Sequence, residues 1–358
     1  MRKKYLWLGI AILLITGAAV FGWWKRGERL RFVAAMGSGI NIGNTLDSTN
    51  LWEHEPTAPE LDYETYWGNP RASKELFCSI KEAGFGSVRI PVTWEDHIDT
   101  DGTISQVWME RVAEVVDMAL EEDLYVVLNT HHEEWLDLKA GREEAISAQY
   151  EKVWQQIAER FVDYDERLLF EGMNEPRLRD SEHEWDAGTP KLREMINRLN
   201  AVFVNTVRAT GGNNKSRYVL ITPYAANTEV EALEELDIPR GNIIVSVHMY
   251  QPYSFCQDEE GTAEWRKEDA ASSERMEEVF AGLERLFVKK KIPVIITEYG
   301  CIDKNNEEAR IQWISFCRKL AGEAGIPCMW WDNGSTYKVL ERESGTVVDE
   351  RLARALTE

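Results

Sequence analysis

Eight short runs of apolar and β-branched residues recur along the chain, at 38–42, 87–90, 124–128, 168–172, 218–221, 243–247, 293–297 and 327–331. Each is too short and too uniformly apolar to expose one face, so the pattern predicts strands covered on both sides, as in a parallel sheet. Between several of them, apolar positions recur three and four residues apart, at 107–122, 148–161, 195–208 and 273–290. That spacing predicts amphipathic helices. Eight strands alternating with helices close most naturally into a (β/α)8 TIM barrel of the α/β class. An open doubly wound sheet is the alternative. Its glycine-loop candidate, Gly43-Asn44-Thr45, lacks the further glycines and the ribose-binding acid of a nucleotide fingerprint. No low-complexity linker interrupts the pattern, so one domain is expected.

A barrel of this kind carries its chemistry at the C-terminal ends of its strands. The unusual polar residues of this chain fall there. Arg89 stands within the end of the second run, His131 and His132 just past the third, and Asn174 and Glu175 just past the fourth. His248 and Tyr250 follow the sixth, Glu298 the seventh, and Trp331 closes the eighth. Two carboxylates at such positions suggest glycoside hydrolysis, which needs an acid and a second carboxylate facing each other across the bond. Asn174-Glu175-Pro176 holds its backbone extended, and Glu298 ends a rigid apolar run. Arg89, a charge inside an apolar strand, must be paired if buried. Adjacent side chains in an extended strand point to opposite faces. Thus at most one of His131 and His132 would enter the mouth as a metal ligand, and hydrogen bonding to sugar is the preferred role. By the same alternation Trp330 faces the helices and Trp331 the mouth.

Composition narrows the partners. A net charge of −21 argues against nucleic acid, whose phosphates require basic patches. Fourteen Trp suit a carbohydrate cleft, because sugar rings present flat C–H faces to aromatic rings, although many must serve the core. The five Cys, at 78, 256, 301, 317 and 328, show no CxxC pair and no metal spacing; the odd count keeps at least one out of any internal disulfide. Ahead of the barrel, Arg2, Lys3 and Lys4 precede an uncharged run from Tyr5 to Trp24, closed by Lys25 and Arg26. This predicts a signal peptide or an N-terminal membrane anchor over 1–31, with the uncleaved anchor preferred, and export of a catalytic domain spanning 32–358.

Assembled in order, these residues resemble glycoside hydrolase family 5, in particular its endoglucanase and xyloglucanase branch. The likeness rests on segments 39–47, 66–70, 84–94, 129–132, 170–177, 207–214, 248–255, 293–300 and 330–334. It implies a retaining endo-β-1,4-glucanase working by double displacement, with xyloglucan, mixed-linkage glucan or mannan as alternative substrates. A non-catalytic polysaccharide-binding protein is the alternative of another class. The resemblance implies Glu175 as acid/base and Glu298 as nucleophile, without cofactor or metal, in a monomer. Arg89, His131, His132, Asn174, His248, Tyr250, Trp331 and Asn44 are the expected substrate-binding set. Thr297 stands where this branch often has Gly, Gln251 where an acid is common, and Trp52-Glu53-His54-Glu55 is unusual. On electrostatic grounds the charge of Glu298 is expected to raise the pKa of Glu175, with Arg89 and Tyr250 keeping Glu298 ionised.

Overall fold

The computed structural model describes residues 27–358. The apolar run 5–24 lies outside them, and among the described residues no helix is long and apolar enough to cross a membrane. Eight parallel strands form a closed barrel in sequence order: β1 (Gly39–Asn41), β2 (Ser87–Ile90), β3 (Tyr125–Asn129), β4 (Leu168–Glu171), β5 (Val219–Ile221), β6 (Ile243–Met249), β7 (Val294–Tyr299) and β8 (Cys328–Trp330), with β8 pairing back onto β1. The longest helix after each strand lies on the outside: α1 (Lys74–Glu82), α2 (Gln106–Glu121), α3 (Glu143–Arg160), α4 (Pro190–Ala209), α5 (Val230–Glu234), α6 (Ala270–Leu286), α7 (Glu307–Ala324) and α8 (Glu350–Thr357). The helices start where local chemistry allows. Ser73 caps α1 by accepting from Leu76 N–H, and Thr189 caps α4 ahead of Pro190.

Alternation along the strands sorts the core into two parts. Outward residues such as Ile40, Val88, Val126, Phe170, Val245 and Ile296 pack under the helices. Inward residues Val127, Leu169, Leu220, Ile244, Ile295 and Met329 fill the lower barrel. One layer higher the inward positions turn polar: Asn41, Arg89, Asn129, Glu171, Ser246 and Thr297, all buried. The apolar layer gives the barrel its floor, and the polar layer above it carries the site.

The lower end is plugged. A helical stretch over 27–35 crosses the 31/32 junction expected from the sequence and lies beneath the strands. Its Val33, with Met36, joins the lower core, and Phe32 stacks on Tyr218 at 3.7 Å between centroids. Arg29 Nη1 donates to Gly241 O at 2.7 Å, in the loop before β6. Gly86, just ahead of β2, permits this approach: a Cβ there would meet Met36 O at 2.4 Å.

Candidate active site

The polar layer is organised by Arg89. Its guanidinium has no exposure, donating from Nε to Glu171 Oε2 at 2.7 Å and from Nη1 to Glu298 Oε1 at 2.6 Å. It also donates to Asn41 Oδ1 at 2.9 Å and, from Nη2, to Asn174 Oδ1 at 2.7 Å. A rigid fork of donors thereby fixes four side chains from three strands and their ends, β1, β4 and β7. Because Arg89 takes the oxygen of Asn174, the amide turns its Nδ2 donors away from the guanidinium.

Two of these partners escaped the sequence reading. Glu171 accepts from Arg89, from Asn129 Nδ2 at 3.1 Å and from Ser246 Oγ at 2.5 Å. Asn41 ties β1 to β7 and β8 through Thr297 O and Trp330 O. The signal for Glu171 was present: it is an acid inside the apolar run Leu168-Leu169-Phe170, as Arg89 is a base inside its own. Matching the two buried charges would have found the pair.

Glu298 sits at the end of β7, nearly buried, and also accepts from Tyr250 Oη at 3.0 Å. Across the mouth, Glu175 Oε1 meets His248 Nδ1 at 2.9 Å, and the same nitrogen lies 3.6 Å from Glu298 Oε2. Donor oxygens of Glu175 and Glu298 stand within 4.8 Å of each other. A proton therefore has three closely spaced homes. Burial pushes Glu175 up, but the His248 hydrogen bond and charge, with Arg177, outweigh it and leave its carboxyl below the ordinary range. Glu298 lies above that range, chiefly through burial, with the charge of Glu175 adding to it against the pull of His248 and Arg89. His248 is raised despite burial, because Glu298 and Glu175 both favour its charged form. This corrects two expectations from the sequence: the hydrogen bond and charge of His248, not the like charge of Glu298, dominate the shift of Glu175, and burial raises Glu298 in spite of Arg89 and Tyr250.

The opposite wall is aromatic. Trp331 and His131 stack in parallel, 5.8 Å apart with planes 2° off. Gly43 makes room for the indole, since a Cβ there would stand 2.5 Å from Trp331 Cη2. Trp330, by contrast, is buried among the outer helices' side chains, donating to Tyr337 O. Asn44 turns the chain after β1 at φ 55°, its N–H held by Asp47 Oδ2 and its carbonyl by Asn69 Nδ2. His132 lies against His131 at 4.4 Å and Trp67 at 5.7 Å. Both histidines thus reach the mouth, because β3 ends at Asn129 and strict alternation ends with it. The unusual Trp52 packs inward on Tyr63 and His97 instead.

Among the described residues, two sets of donors lie close enough to hold a metal: Glu175, His248 and Glu298, and Asp47, His131 and His132. In the first set Arg89 and Tyr250 already occupy Glu298. In the second, Asp47 accepts from Asn44 N–H and Thr45 N–H, and His131 Nδ1 pairs with Asn129. Both histidines are neutral: burial chiefly holds His131 well below its usual range and brings His132 from 6.5 to about 4. The sign for stability follows. The unfolded His132 takes up a proton near pH 6.5 and the folded one near 4, so stability is lost as pH falls through that window. His132→Gln is expected to flatten melting temperature against pH between those values. A slope as steep as that of the unsubstituted protein would refute it.

The carbohydrate-type arrangement, two close carboxylates facing an aromatic wall on a barrel, has a counterpart in known sequences. The cellulase model of glycosyl hydrolase family 5 matches residues 52–336. The chain belongs to glycosyl hydrolase family 5. This family 5 hydrolase is 39% identical over 323 residues to endoglucanase A of Clostridium longisporum, covering 87% of this chain and 62% of that one. It thus spans under two thirds of that relative's length. Among solved structures, a broad-specificity endoglucanase from Clostridium acetobutylicum superposes with a TM-score of 0.85 at 40% identity, covering 92% and 99% of the two chains. A xyloglucan-specific endo-β-1,4-glucanase from a metagenomic library, in complex with cellotriose, gives 0.87 at 35% identity over 93% and 99%. The family 5 hydrolase therefore acts on O-glycosyl bonds, through a barrel that the two solved relatives share along nearly their whole length.

Proposed function

We propose that the protein is a retaining endo-β-1,4-glucanase in which Glu298 is the nucleophile and Glu175 the acid/base. The approach of one oxygen of Glu175 to one oxygen of Glu298, within 4.8 Å, carries this reading. Retaining enzymes hold them about 5 to 5.5 Å apart, whereas inverting ones leave about 6.5 to 9.5 Å for a water. Glu298, oriented by Arg89 and Tyr250, attacks the anomeric carbon. Glu175 protonates the leaving oxygen, drawing on the proton it shares with His248 Nδ1, then takes a proton from the water that hydrolyses the glycosyl ester. Esterification removes the charge on Glu298 and with it the largest single attraction that holds the proton on His248. Asn174, its oxygen fixed by Arg89, offers its Nδ2 donors to the sugar 2-hydroxyl. Trp331 and His131 carry the sugar on the non-reducing side of the cut, with neutral His132 and Asn44 at its edge.

The names of the relatives support β-1,4-glucan as substrate, with xyloglucan as the close second. A panel of β-glucan, xyloglucan, mixed-linkage glucan and mannan tests the choice, together with proton NMR of the first product formed. The β-anomer is expected to appear first and then mutarotate. Initial release of the α-anomer would reject the double displacement.

A further inference from the structure

We propose that the lower end of the barrel holds a second, non-catalytic site for a neutral oligosaccharide of the β-glucan type, in the cavity between the plug helix and the loops that lead into β4, β5 and β6. The inference rests on membership of the hydrolase family and not on the retaining reading. The cavity measures about 620 Å³ and lies at the opposite end of the strands from Glu175 and Glu298. That volume falls in the ordinary range of small-ligand sites.

Its lining is balanced in charge. Arg29, Arg167 and Arg217 stand with Glu28, Asp165 and Glu166. Such a wall favours neither a bare anion nor a bare cation. Hydroxyls, which donate and accept at once, gain from both signs. Several acceptors are also unspent. The carboxylates of Glu28 and Glu166 make no hydrogen bond or ion pair among the described residues. Asn213 commits its amide nitrogen to Asp163 O and Tyr164 O, at 3.1 Å each, and Asn242 donates to Ser216 O at 2.6 Å. Among the described residues both amide oxygens are left for another donor. Tyr125 and Tyr218 complete the wall, and their rings suit the C–H faces of a sugar.

The site is rigid before anything binds. Arg217 is buried and spends its donors on neutral oxygens. Nε donates to Asn214 Oδ1, Nη1 to Asp165 O and Leu168 O, and Nη2 to Phe161 O and Tyr164 O. The loop that carries Glu166 is thereby pinned on both sides of it. The plug helix is held in turn by Phe32 on Tyr218 and by Arg29 on Gly241 O. Groups already fixed lose little entropy when a ligand arrives.

Hydrogen–deuterium exchange read by mass spectrometry locates binding without turnover. The full chain carrying Glu298→Gln is titrated with cellohexaose and, separately, with inorganic phosphate. Cellohexaose is expected to protect the mouth and also the lower-end segments 27–35, 163–168 and 213–218, the latter with a midpoint of their own. Adding Glu166→Gln, which keeps the side chain's shape and removes its charge, should weaken only the lower-end midpoint, roughly tenfold. Asn242→Ala should act in the same way. Neither change should alter kcat/KM on cellotetraose in the otherwise unsubstituted enzyme, which also verifies folding. Protection confined to the mouth would overturn the site. So would lower-end protection that shares the mouth's midpoint or ignores both substitutions, or protection by phosphate in place of cellohexaose. Failure of the retaining reading is distinct, since it would appear as turnover by Glu298→Gln.

Discussion

Glu298→Gln is expected to abolish glucan hydrolysis, lowering kcat by at least about 10⁴-fold while the protein stays folded. The substitution keeps the shape of the side chain and deletes only the carboxylate that forms the glycosyl ester. Arg89 loses one anionic partner but keeps Glu171, Asn41 and Asn174, so the polar layer retains its frame. Glu175→Gln should differ in kind. A general acid contributes about 10² to 10⁴-fold, and least where the leaving group departs readily, so its loss should shrink sharply from glucan to an activated aryl glycoside. Initial rates on both substrates, with circular dichroism to verify folding, check the pair. Substantial glucan turnover by Glu298→Gln would remove the nucleophile assignment.

Arg89→Met is expected to destabilise the fold by about 3 to 5 kcal/mol and to eliminate activity with it. Two carboxylates, Glu171 wholly buried and Glu298 nearly so, would lose their shared cation. The double variant Arg89→Met with Glu171→Gln removes one of the stranded charges and should regain part of the stability, without regaining activity. Denaturant titration measures both. If the single variant loses less than about 1 kcal/mol, the guanidinium is not the keystone that its hydrogen bonds indicate.

Much of this site was legible before any coordinates, because a barrel maps sequence position onto height. A residue just past an apolar run lands at the mouth, which is how Glu175, His248, Tyr250 and Glu298 come together from three distant stretches. Residues inside the runs were harder. Glu171 and Asn41 sit one layer below the mouth, where a polar side chain in a short strand looks like noise until its partner is known. The electrostatics were harder still. From one sequence the nearest charge to Glu175 could only be guessed as Glu298, whereas the 2.9 Å approach of His248 depends on β6 running on to Met249 with a shift of register against β7 after Val247. No periodicity announces such an irregularity.

The plug beneath the barrel separates two kinds of failure. Helix 27–35 lies on the face opposite the glutamates, where Val33 and Met36 join the lower core and Phe32 stacks on Tyr218. Damage there opens the floor to water before it reaches the polar layer, so substitutions in this helix should lower heat resistance well ahead of chemistry.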